Sequence, residues 1–95
     1  MFKVELFFDE TLGETELKKL GAKIDKIFAE ETITKVDKKL TSRTYYDNGK
    51  DKDFGKIAAA LCEIKNNMNH SKLIREGYFY DDDEKEDLIV EFFGR

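Results

Sequence analysis

The chain has 95 residues, 40% of them apolar and 40% charged, with a formal net charge of −4. That length supports one hydrophobic core and excludes a second, so residues 1–95 read as a single domain. The single cysteine, Cys62, excludes an internal disulfide framework and a cysteine-rich metal site, and the absence of proline excludes a proline-rich linker.

A lone thiol suits a reducing compartment. The opening Met1-Phe2-Lys3-Val4-Glu5 is acidic by its fifth residue and does not read as a signal peptide. The longest apolar run, Ile57–Cys62, covers six residues and is far short of a membrane span. A cytoplasmic protein without membrane contact is expected.

Phe2–Phe8 alternates Phe2, Val4, Leu6 and Phe8 with Lys3, Glu5 and Phe7, which predicts a strand with one buried face. Thr11-Leu12-Gly13-Glu14 matches a capping box, and Leu17, Leu20, Ile24, Ile27 and Phe28 repeat at helical spacing after it. A helix from about Leu12 to Glu30 follows, with Gly21 marking a close approach. Thr32–Leu40 and Arg43–Asp47 read as two strands joined near Thr41-Ser42. Asp47-Asn48-Gly49 is a turn signal, because asparagine and glycine tolerate positive φ.

From Asp53 to Met68, the residues Phe54, Ile57, Ala58, Leu61, Ile64 and Met68 fall on one helical face, with Asp53 placed to cap the start. Leu73–Tyr80 reads as a further strand interrupted by Gly77. The acids before Leu88 and the glycine at position 94 predict a C-terminal helix over the last apolar residues. The order β-α-β-β-α-β plus a terminal helix predicts an α+β, ferredoxin-like split β-α-β sandwich. Its two main helices cover one sheet face and leave the other to the last helix, a partner or water.

Few residues in the sequence are arranged for chemistry. Cys62, on an apolar helix, reads as inert packing, and His70 sits in a polar stretch with no nucleophile beside it in sequence. No glycine-rich phosphate loop or H-E-x-x-H occurs. An EF-hand loop begun at Asp81 would need glycine at its sixth position and glutamate at its twelfth, where Glu86 and Phe92 stand. The expectation is a protein that is not an enzyme, with no catalytic residue, no cofactor and no metal.

Charge leaves two binding candidates. Residues 1–50 carry ten basic and ten acidic groups, so the whole imbalance lies in the second half. There, Asp81, Asp82, Asp83, Glu84, Glu86 and Asp87 form an acidic run that fits a basic protein partner or imitates the charge of nucleic acid. A solvated helix start explains the same run, since acids stabilise the positive end of the dipole. Lys35, Lys38, Lys39, Arg43 and Lys50, beside Tyr45 and Tyr46, form a basic hairpin that fits nucleic acid as the alternative partner. An ordinary charged hairpin with one tyrosine buried explains the same residues, because adjacent tyrosines in a strand point to opposite faces. Phe92 and Phe93, if not both packed, form an apolar patch that would support self-association into a homodimer.

Phe2–Leu20 (FKVELFFDETLGETELKKL) with Arg43–Leu61 (RTYYDNGKDKDFGKIAAAL) resembles small uncharacterised proteins carried on mobile, conjugative elements of Gram-positive bacteria. The resemblance spans about two fifths of the chain and includes no ligand motif. It implies an accessory role, such as regulation or host interaction, and transfers no functional residue.

Overall fold

Alternation along β1 (Phe2–Phe8) sets the two faces of the sheet. In the computed structural model, which describes residues 1–94 (at Met68 the backbone alone), Val4, Leu6 and Phe8 are closed to solvent. Their neighbours Lys3, Glu5 and Phe7 point the other way and stay partly exposed. After β1 come α1 (Glu14–Glu30), β2 (Lys35–Lys39), β3 (Ser42–Tyr46) and α2 (Asp53–Asn66), then α3 (Met68–Lys72), β4 (Ile74–Asp81), β5 (Glu84–Asp87) and α4 (Leu88–Glu91). The five strands form one antiparallel sheet in the order β2-β3-β1-β4-β5. The molecule is an α+β domain. Relative to the expected element order, the short α3 is inserted and β5 is added at one edge.

Leu17, Leu20, Ile24, Ile27 and Phe28 of α1 pack with Ile57, Ala60, Leu61 and Ile64 of α2 onto the inward residues of β1, β3 and β4. Phe28 and Tyr45 stack with ring centroids 3.8 Å apart. Leu88 of α4 closes the same core over Gly77, where an added Cβ would lie 3.4 Å from that leucine. Gly77 therefore interrupts the apolar pattern without interrupting the strand. α4 thus sits on the helical side, and the opposite sheet face is bare.

The helix starts differ from expectation. α1 begins at Glu14 with Gly13 as its N-cap and no side-chain cap bond. Thr11 is engaged elsewhere, because its N–H and hydroxyl both donate to Asp9 Oδ1, at 2.9 and 2.6 Å. That local turn takes the threonine oxygen away from the helix. Asp53 likewise does not cap α2, which carries no side-chain cap bond. Its fully buried carboxylate turns back and accepts the N–H groups of Asn48 and Lys50 at 2.8 and 3.1 Å, tying down the loop that precedes its own helix. Burial pushes the Asp53 carboxyl up, but those two N–H donors, with Lys56 and Lys50 nearby, hold it below the usual range. The expected turn forms, with Gly49 at φ +82°. α2 ends at Asn66, short of Met68, whose side chain lies outside the described residues.

Candidate functional site

The acidic run is a hairpin, where a helix start was expected. Asp81 ends β4, Asp82 takes a left-handed φ of +52°, and Glu84–Asp87 returns as β5. Aspartate is among the few residues that adopt this backbone at low cost, so a short polar pair serves as the turn. Strand alternation then splits the run. Asp81, Glu84 and Glu86 project to the helical side, while Asp87 and Lys85 project to the bare face. Asp82 binds the Met1 ammonium at 2.7 Å, and that bond raises the pKa of the amino terminus. Asp87 Oδ1 accepts the N–H groups of Ile89 and Val90, capping α4. Asp83 stands exposed at the turn.

Where Asp81, Glu84 and Glu86 project, β4, β5, α2 and α4 enclose an open cleft of about 190 Å³. Its apolar lining comes chiefly from Phe54, Leu61, Phe79, Leu88 and Phe92. Phe54 was expected in the core, yet it is 51% exposed and stands as one wall. Its ring leans on Phe2 at 5.5 Å and meets Phe79 edge-on at 5.7 Å. At the far end Lys65 Nζ lies 5.2 Å over the Phe92 ring. Among the described residues, none of the Asp81, Glu84 and Glu86 carboxylates joins an ion pair. The site is an apolar trough with negative charge along one rim.

The basic hairpin does not present its cations together. Arg43 is buried and donates through Nε to both oxygens of Asp25, at 3.1 and 3.3 Å, and through Nη1 to the Ser42 and Lys39 carbonyls. Tyr45 donates its hydroxyl to the same aspartate at 2.5 Å, and Lys38 reaches it at 3.4 Å. Burial first, and the bond to Asp25 second, push the Tyr45 hydroxyl pKa upward. Lys38, Arg43 and Tyr45 therefore face α1, whereas Lys35, Lys39 and Tyr46 face the bare side and Lys50 lies in the loop. Asp25, which organises this cluster, went unnoticed in the sequence because it looks like any acid on an exposed helix flank. The shared parity of Arg43 and Tyr45, both inward-facing strand positions, was the available signal.

Cys62 is exposed, contrary to the expected packing role. His70 lies on α3 in a recess with Leu12, Lys23 and Leu73, where burial and then Lys23 lower its pKa. Phe92 and Phe93 both pack against the core and against each other. Among the described residues no group of three or more His, Cys, Asp or Glu side chains is placed to hold a metal, and no helix is long and apolar enough to cross a membrane.

No protein-family model matches the chain, and neither a curated protein nor a solved structure matches it.

Proposed function

We propose that the protein is a non-catalytic binding module whose cleft takes a basic, amphipathic segment of a partner protein. The observation that carries this reading is the pairing of an apolar floor with three carboxylates that join no ion pair among the described residues. Small-molecule pockets usually exceed about 300 Å³, so this cleft suits one or two apolar side chains of a peptide better than a whole ligand. Apolar anchors would fill the floor beside Phe54 and Phe92, and flanking lysines or arginines would meet Glu84 and Glu86. Nucleic acid gains less support, since Lys38 and Arg43 are drawn inward to Asp25.

The same reading takes β1 to β4 as a ferredoxin-like split β-α-β with β5 appended, supported by the position of β1 between β3 and β4. It also keeps a cytoplasmic setting and an accessory role on a mobile element, in line with the sequence resemblance.

The experiment is fluorescence anisotropy of a labelled Leu/Lys amphipathic peptide, with a scrambled peptide of equal charge as control. The amphipathic peptide should bind, and Glu84→Lys with Glu86→Lys should weaken it at least tenfold, about 1.4 kcal/mol. Equal binding by that double variant, or by the scrambled peptide, would remove the cleft as the site.

A further inference from the structure

The bare sheet face carries charge in ordered rows. Residues directly opposite in an antiparallel pair share a face, so the register places Lys35, Tyr46, Lys3, Tyr80 and Lys85 in one line across all five strands. Two residues further along, the next line reads Asp37, Thr44, Glu5, Tyr78 and Asp87. Every lysine of the first line thus has an acid of the second line on its own strand, in Lys35-Val36-Asp37, Lys3-Val4-Glu5 and Lys85-Glu86-Asp87. The pairings make β2, β1 and β5 mutually parallel, so all three strands run from lysine to acid in the same direction.

These charges do not neutralise one another within the chain. Among the described residues, none of the six forms an ion pair, although six ion pairs form elsewhere. Lys3 lies instead 4.4 Å over the Tyr80 ring, and Lys85 lies 4.1 Å over Tyr78. Glu5 accepts the Tyr80 hydroxyl, at 3.1 Å. No residue of the two lines is buried.

We propose that this face binds a second copy of the chain. A two-fold axis lying in the interface, midway between the two lines and along them, sets each basic line over the acidic line of the other copy. Lys3 then meets Glu5 of the second copy, Lys35 meets Asp37, and Lys85 meets Asp87, each contact occurring twice. Such an isologous contact is self-complementary by construction. Facing sheets sit about 10 Å apart, a gap that a lysine and a carboxylate span together. Sheet twist turns the two strand sets by about 30°, so the central Lys3–Glu5 contacts are the closest and the outer ones looser.

A sheet face of five strands about 4.8 Å apart and seven residues at about 3.4 Å measures at most roughly 24 by 24 Å. Two such faces bury an area near the low end of specific interfaces, which gives a dimer in exchange with monomer. A single strand of nucleic acid fits less well, because the acidic line repels phosphate beside each lysine. The cleft lies on the other side of the sheet, so the dimer would carry two clefts facing outward. The dimer forms whatever the cleft binds.

Sedimentation velocity of the full chain across a concentration series tests it. At about 50 mM salt the wild type should shift toward dimer as concentration rises, and at about 500 mM the shift should weaken as charges are screened. Lys3→Glu with Lys35→Glu, and separately Glu5→Lys with Asp37→Lys, should each remain monomeric while keeping the wild-type circular dichroism spectrum. Mixed in equal amounts the two variants should form a heterodimer, since each then supplies the charge the other lacks. A wild type that stays monomeric throughout would overturn the proposal, as would folded variants that dimerise like the wild type or a mixture of folded variants that stays monomeric. Labelled single-stranded RNA bound by a monomeric wild type, and more tightly by Glu5→Lys with Asp37→Lys, would overturn it in favour of nucleic acid.

Discussion

Asp25 is the residue around which the β2–β3 side of the molecule is built. Arg43, Tyr45 and Lys38 all reach it, and Arg43 can do so only because Gly21 leaves room. A Cβ at position 21 would lie 2.1 Å from Arg43 Nη2 and 2.7 Å from its Cζ. Alanine favours a helix by about 1 kcal/mol over glycine, but here the buried guanidinium would have to leave a half-buried carboxylate and two carbonyls. Gly21→Ala should therefore destabilise the fold by about 1–3 kcal/mol in urea titration. Gly55, also helical, has nothing within 4 Å of an added Cβ, and Gly55→Ala should stabilise by about 0.5–1 kcal/mol. The need for a small residue at 21 was legible from a glycine in an apolar helical pattern. Its neighbour was not, because an arginine in a lysine-rich hairpin carries no sign of burial.

At the scale of elements, periodicity identified the main pieces and failed where polar residues compete for backbone groups. The residue patterns over β1, α1, α2 and β4 placed these elements, since alternation and 3.6-residue spacing report burial directly. The Asp81–Asp87 segment has no apolar pattern to read, so its acids suggested a helix start. They form a hairpin because Asp82 accepts positive φ and β4 offers an unpaired edge. Only Asp87 keeps the capping role, for a four-residue helix. That short helix stands on Leu88, which is 3% exposed, while Val90 is 63% exposed. Leu88→Ala should cost about 2–4 kcal/mol and loosen one wall of the cleft. Val90→Ala should stay within about 0.5 kcal/mol, measured by the same denaturant titration.

The whole molecule presents two unlike surfaces on opposite sides of one sheet. The helical side holds the apolar trough rimmed by Asp81, Glu84 and Glu86, and the bare side holds the two charged lines. Neither was visible as a unit in the sequence. The trough joins residues from Phe54 to Phe92 that only the packing of α4 on β4 and β5 brings together, and its half-exposed Phe54 looks like core on a helical wheel. The acidic residues themselves were legible, because six acids within seven positions stand out. Their division between two faces depends on their being a strand. The most direct test of the cleft is a methyl-resolved NMR titration with the amphipathic Leu/Lys peptide. Saturable shifts are expected at the Ala58, Leu61 and Leu88 methyls, with Val36 and Leu40 unmoved. Shifts centred on Val36 and Leu40 at the β2–β3 hairpin, or no shifts at any of these methyls, would rule the cleft out as the binding site.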